Sequence, residues 1–443
     1  MNRHDVPDVP DFPDAPRALT RRDLMRWAAS GAVVSSLAAC ASVEDKKPLG
    51  KVVVVGGGYG GATAAKYLRI WSEGRIAVTL VEPNPNFVSC PMSNLVLGGS
   101  KSLRDITLPY TGLDKYGVRV VRDSASAIDA DKRIVRLASG AQLDYDRLVL
   151  SPGIEFMFEA VRGMSAAAIT AIPHAWRAGA QTQLLRDQLV AMPDGGTVLM
   201  SIPLAPYRCP PGPYERACQI ASYLKAAKPR SKLIVLDANP DLVSKKGLFL
   251  SVWTSDYKDQ IEYRANSAVT EVDVAGRQFV LELGDKIKGD VLNLIPPQRA
   301  ANIARDAGVI TANNRWCEVD WVSTESVRVK NVHVLGDATL SAPAMPKSGH
   351  MANQHGKAAA AAIVELLSGR TPIPPMMANT CYSFVDAENA VHVSSVHRWV
   401  PEKKTMETVP GSGGLSAMDR SLWRAEGGYA WNWAGQIWAD MLA

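Results

Sequence analysis

No two of the six cysteines in this 443-residue chain stand in a Cys-x-x-Cys pair. That absence excludes an adjacent redox pair of the thioredoxin type, a zinc ribbon, and Cys-x-x-Cys-His for covalent haem. A disulfide that works here must join distant segments. No apolar run is long enough to span a bilayer, so no transmembrane segment is expected. Charge of one sign is scarce as well. The formal net charge is +5, and removing residues 1–40 takes away Arg3, Arg17, Arg21, Arg22 and Arg26 together with Asp5, Asp8, Asp11, Asp14 and Asp23, which leaves it unchanged. An excess so diffuse argues against nucleic acid. The hydrophobic content of 47% is that of a globular protein, and the length calls for two or three domains.

The N-terminus reads as an address. An acidic, proline-rich lead from Asp5 to Asp14 cannot bury a core. Thr20-Arg21-Arg22-Asp23-Leu24-Met25-Arg26 then precedes the short apolar stretch Trp27–Ala39. The segment resembles a twin-arginine export signal over residues 1–40, which implies a periplasmic protein exported after folding. Leu37-Ala38-Ala39-Cys40 has the form of a lipoprotein cleavage box, with Cys40 as a lipid anchor. Ala39-Cys40-Ala41 reads equally well as an ordinary small-x-small cleavage site.

Four consecutive valines after Lys51 lead into Gly56-Gly-Gly58-Tyr59-Gly-Gly61, a helix-like run over Ala62–Trp71, and a β-branched run Ile76–Val81 ending at Glu82 and Pro83. This is a βαβ dinucleotide-binding unit. Gly56 permits the tight turn, Gly58 lets a pyrophosphate approach the helix N-terminus, and Gly61 allows close helix–strand packing. Glu82, about 20 residues past Gly61, is placed to accept from a ribose hydroxyl. Two later segments specialise the site. Asp146–Leu150 is a short strand stopped by Ser151-Pro152-Gly153, and Asn331–Leu335 ends in Gly336-Asp337. They resemble the first-domain exit and the ribityl-chain carboxylate of FAD-dependent disulfide oxidoreductases, and imply an FAD domain interrupted by a second domain. Met345-Pro346-Lys347-Ser348 precedes an alanine-rich helix through Leu367. If that start faces the flavin ring, the positive helix end and Lys347 would stabilise reduced flavin.

Residues Gly195–Pro203, a helix near Arg216–Ala227 and Ser231–Asp237 repeat the βαβ plan. Where a nicotinamide site needs glycines, however, this chain has Pro203-Leu-Ala-Pro206-Tyr-Arg-Cys209-Pro-Pro-Gly-Pro213. Prolines there remove amide donors from any phosphate cradle, so a substrate site is expected instead of an NADH site.

Cys90 lies just beyond Glu82, Cys209 in the proline–glycine segment, and Cys381 in Asn379-Thr-Cys381-Tyr-Ser383. With Pro173-His-Ala-Trp176, Leu294-Ile-Pro-Pro-Gln-Arg299 and Met345-Pro-Lys-Ser-Gly349, these segments resemble the flavoprotein subunit of flavocytochrome c sulfide dehydrogenase from about Lys51 to the C-terminus. The resemblance implies that Cys90 carries FAD covalently, that Cys209 and Cys381 form a redox-active disulfide, and that Glu215 handles protons there. It also implies sulfide as substrate and a separate c-type cytochrome subunit as acceptor. Pro91 follows that cysteine, where an aromatic residue can occur in relatives. Cys218 and Cys317 read as buried small hydrophobes.

The expected fold is α/β: two Rossmann-like, three-layer dinucleotide-binding domains, the second inserted in the first, plus a C-terminal α+β domain. The boundaries are 50–162 and 298–371 for the FAD domain, 163–297 for the inserted substrate domain, and 372–443 for an interface domain. The alternative activities are a sulfide:quinone oxidoreductase, for which the aromatic C-terminus from Tyr429 to Met441 is the segment to inspect, and a flavin-binding partner without enzymatic activity. No metal site is expected.

Overall fold

The structure is a computed structural model that describes residues 47–443. The expected export signal and the candidate anchor at Cys40 lie outside the described residues.

Strand β1 (Gly50–Val55) is buried through its valines, the pattern of a central parallel strand covered on both faces. Helix α1 (Tyr59–Trp71) crosses over through its buried Ala62, Ala64, Ala65 and Leu68, and β2 (Ile76–Val81) returns beside β1. After the short helix α2 (Asn94–Gly98) come β3 (Val118–Val121) and β4 (Arg147–Leu150). The chain then builds a second sheet from β5 (Thr197–Ile202), helix α3 (Gly212–Ala227), β6 (Lys232–Asp237), β7 (Ile261–Arg264) and β8 (Val291–Leu294). It comes back to the first with β9 (Val332–Val334), followed by α4 (Gly349–Leu367).

The strand orders are β9-β4-β1-β2-β3 and β7-β6-β5-β8, every pairing in both being parallel. The outgoing and returning chains touch as an antiparallel pair, Ile154–Phe156 against Gln298–Ala300. A third, antiparallel sheet follows: β10 (Met376–Phe384), β11 (Ala390–Val400) and β12 (Thr405–Thr408), covered by helix α5 (Trp423–Leu442).

Register places the site. Val55 lies opposite both Val81 and Leu150, and Val334 opposite Leu150. The residues that follow, Gly56, Glu82, Ser151 and Gly336, therefore leave the sheet at one carboxyl edge, where open parallel sheets bind ligands. Helices α1 and α3 begin earlier than the expected runs, at Tyr59 and Gly212. At α3 the reason is Pro213 in the first turn, where its missing N–H costs nothing. The aromatic C-terminus packs: α5 buries Trp423, Ile437, Trp438 and Met441. Among the described residues, no helix is long and apolar enough to cross a membrane.

Candidate functional site

The glycines divide the labour their spacing suggests. Gly56 has φ +96°, and a Cβ there would lie 2.3 Å from the Ser151 carbonyl oxygen. A Cβ on Gly61 would lie 1.8 Å from the Gly56 carbonyl oxygen. At Gly58, which caps α1, a Cβ would meet nothing within 4 Å. Space is thus left open at a helix N-terminus, which fits a pyrophosphate. Glu82 is buried and accepts from the Gly57 amide at 2.8 Å and from the Asn84 amide at 2.8 Å, which holds the carboxylate beside the glycine turn. Pro83 is exposed. Ser151 donates its amide to Val55 across 2.9 Å, and Gly153 has φ +67°, so Ser151-Pro152-Gly153 turns the chain away from the glycine loop.

Beyond this edge lies an open cavity walled by loops and helix starts that follow the two parallel sheets and by strand β10. Cys90, Cys209 and Cys381 line it, together with Tyr59, Glu215 and Asp337. The three cysteines are thiols in this structure. Cys90 Sγ accepts from Arg208 Nη2 at 3.4 Å, and the same guanidinium bonds the Trp176 carbonyl. Tyr59 closes the wall by bonding Ser89 at 2.7 Å and accepting from Trp438 Nε1 at 3.2 Å.

Cys209 sits within the proline loop with φ +57°, its amide donating to the Lys347 carbonyl at 2.7 Å. Three residues on, α3 starts at Gly212, where a Cβ would lie 2.8 Å from Cys209 Sγ. Burial pushes the Cys209 thiol well up, and the negative charges of Cys381 and Glu215 add to the shift. Cys381 sits on β10, its Sγ 3.4 Å from Asn379 Nδ2, and Asn379 Oδ1 accepts from Ser348 Oγ at 2.7 Å.

Glu215, one turn into α3, is buried, and burial raises its carboxyl above the usual carboxylate range. It accepts from the Phe384 amide at 2.9 Å and from Asn94 Nδ2 at 3.1 Å. Such a group can take up and release a proton at ordinary pH. Arg216 beside it is fully buried, bonding Asn94, Asn293 and the carbonyls of His174 and Ala175, and burial lowers it to about 10.

Asp337 is half-buried, its Oδ1 shut off from solvent without any hydrogen-bond partner, and desolvation raises its pKa against the opposing pull of Arg208 and Lys347. An orphan acceptor of this kind fits a ligand hydroxyl. Lys347 on the same cavity is buried. Its ammonium bonds the carbonyls of Asp337 and Thr339 and lies 3.9 Å over the Trp316 ring, and burial lowers it to about 8. It ties the Gly336-Asp337 turn to the helix start. The helix start itself is built by Ser348, whose Oγ accepts from the Met351 amide at 3.0 Å, while Met345 Sδ lies 3.4 Å from His355 Nε2.

Cys218 and Cys317 are fully buried, as expected, and Cys218 accepts from Trp253 Nε1 at 3.2 Å. At the second sheet's edge, Asp237 ends β6 where a nicotinamide domain would present a ribose acid. It is fully buried and consumed by Tyr214 and Tyr263, each at 3.0 Å. Sequence reasoning missed Arg208, Asn94, Trp176 and Lys245. Lys245, in Ser-Lys-Lys-Gly, reads as solvated, and only the fold buries it.

Residues 182–296 match the family described as the central part of the sulfide dehydrogenase [flavocytochrome c] flavoprotein chain, and residues 373–442 match flavocytochrome c sulphide dehydrogenase, flavin-binding. Residues 50–190 match pyridine nucleotide-disulphide oxidoreductase. The sulfide dehydrogenase flavoprotein chain of Chlorobaculum thiosulfatiphilum is 63% identical over 46 residues, which are 10% of this chain and 94% of that one. The mitochondrial sulfide:quinone oxidoreductase of Dictyostelium discoideum is 24% identical over 309 residues, 66% of each chain. Among solved structures, the sulfide:quinone oxidoreductase of Aquifex aeolicus superposes with a TM-score of 0.65 at 20% identity, covering 87% of this chain and 92% of that one.

Proposed function

This chain belongs to the family of flavocytochrome c sulfide dehydrogenase flavoprotein chains and has the pyridine nucleotide-disulfide oxidoreductase fold, and from that premise we propose that it oxidises sulfide with FAD and delivers the electrons to a c-type cytochrome subunit. The observation that carries this reading is the meeting of Cys209, Cys381 and the buried Glu215 on one cavity with Cys90 and the unpartnered Asp337. Gly58 would leave room for the pyrophosphate of FAD, Glu82 and Asp337 would accept from its sugar hydroxyls, and Cys90 would carry it covalently. FAD, when bound, supplies the two-electron acceptor.

The chain's own residues do the sulfur chemistry. Hydrosulfide attacks one sulfur of the oxidised Cys209–Cys381 pair. A new S–S bond forms as a persulfide, the old one breaks, and its electron pair leaves on the other cysteine as thiolate. Glu215 accepts the proton that the persulfide gives up. In the periplasm, reached by twin-arginine export and with Cys40 as the candidate anchor, an oxidising environment lets a distant pair persist.

The likeness to sulfide:quinone oxidoreductases supports a second acceptor, membrane quinone. Stopped-flow bleaching of the flavin by sulfide, followed by reoxidation with cytochrome c or a soluble quinone, separates the readings. Rapid reoxidation by cytochrome c alone is expected; reoxidation by quinone alone selects the second, and no bleaching removes both. Cys209→Ser and Cys381→Ser should each abolish bleaching.

A further inference from the structure

The strand that carries Cys381 is gripped by side chains of the inserted segment. Lys245 is 4% exposed and precedes the helix Lys246–Ser255 with φ +53°, a conformation that costs a side chain about 1 kcal/mol. From there its Nζ donates to the Cys381 carbonyl at 2.6 Å, to Ser383 Oγ at 3.0 Å and to the Val391 carbonyl at 3.1 Å, bridging β10 and β11. On the same stretch, Glu215 takes the Phe384 amide, and Gln219 Nε2 donates to the carbonyls of Phe384 at 3.1 Å and Asp386 at 2.8 Å. The lead-in to α3 holds Cys209, and α3 itself holds Glu215 and Gln219. Both cysteines are thus referred to one rigid frame.

The charge of Lys245 needs an account of its own. All three of its partners are neutral oxygens. A buried ammonium without an anion is costly, and burial does lower its pKa. The ionisable groups that face it are Glu215 from α3, Glu426 from α5, Cys209 from the proline loop and Cys381 from β10, each favouring its charged form. In return, Lys245 opposes the burial that raises Cys209, which also faces Cys90 and the Arg216 guanidinium of α3.

We propose that Lys245 is a counter-charge of the cysteine pair, positioning the Cys381 strand against Cys209 and stabilising the sulfur anion released when the pair opens. The proposal rests on the reading of Cys209 and Cys381 as the redox pair. In the opening step the electron pair of the broken S–S bond stays on the departing sulfur, and a fixed neighbouring cation lowers the energy of that product. Lys245 is a positioning residue that acts through the sulfurs and touches no substrate.

The test uses the purified holoprotein with the pair reduced by dithiothreitol. Alkylation of Cys209 and Cys381 by iodoacetamide is followed against pH by mass spectrometry in the parent chain, Lys245→Gln and Lys245→Arg. Gln keeps a donor for the Cys381 carbonyl and removes the charge; Arg keeps the charge. The Gln profile should move to higher pH by about one unit, so that alkylation below the midpoint slows about tenfold, and the Arg profile should lie on or below the parent's. A Gln profile that coincides with the parent's overturns the proposal. Should the Gln protein fail to fold, the Arg protein decides: a profile at higher pH than the parent's overturns it, and one at or below supports it. Alkylation needs neither sulfide nor turnover. Loss of sulfide-driven bleaching in the parent chain would therefore sink the functional reading while leaving this result legible.

Discussion

The amide of Cys209 donates to the carbonyl of Lys347 across 2.7 Å. This bond joins the loop entering the second sheet's helix to the start of the first sheet's last helix. It fixes one sulfur relative to the edge where Gly56, Glu82 and Gly336 emerge, and several measurable consequences stem from that arrangement.

Gly58 and Gly61 should part company on substitution to alanine. At Gly61 the new methyl would collide with the Gly56 carbonyl, so Gly61→Ala should cost about 3 kcal/mol or more. At Gly58 the methyl enters open space, and the folded chain should stay within about 0.5 kcal/mol of the parent. The same methyl would nevertheless obstruct a pyrophosphate. Urea midpoints and FAD content together check the pair; a Gly58→Ala protein that keeps full FAD would remove the cradle from its assigned place.

Acid-precipitated protein should remain yellow, and Cys90→Ala should release its flavin to the supernatant. Free flavin from the parent chain would show that Cys90 makes no covalent link.

Glu215 gives a pH signature whose sign runs opposite to that of a surface carboxylate. Its folded pKa lies above the unfolded value of about 4.3, so in that interval the folded chain binds more protons than the unfolded one. Stability is therefore highest below the unfolded value and declines as pH rises toward the folded one. Glu215→Gln should flatten this decline, measured as the difference between urea midpoints at acid and neutral pH. An unchanged difference would mean that Glu215 is ordinary in its ionisation.

NADH should reduce the flavin slowly or not at all. The acid that could meet its ribose, Asp237, is committed to Tyr214 and Tyr263, and the loop after β5 is proline where amides are needed. Rapid reduction of the flavin absorbance by micromolar NADH would contradict this.

Much of the frame was readable in advance because it is local. The valine run, the glycines and the β-branched run up to Val81 carry their own geometry, and β2 spans the residues the pattern marks. Cys218 and Cys317, set in segments with no special backbone, proved to be core residues. What escaped depends on contacts between distant segments. Lys245 stands in a charged run and is buried only because β10 and β11 fold over it. Lys347 bonds the carbonyls of Asp337 and Thr339, a link that no local pattern announces. Arg208 beside Cys90 required loops from two sheets to converge.

The start of α3 has a last consequence. In a nucleotide site, the positive end of such a helix greets a phosphate. Here a sulfur occupies the approach, and the first helical residue is Gly212 because a methyl there would press on Cys209 Sγ. In the proposed reaction the helix end that would hold a phosphate faces a thiolate instead, which gives a βαβ unit a use for its shape beyond a nucleotide.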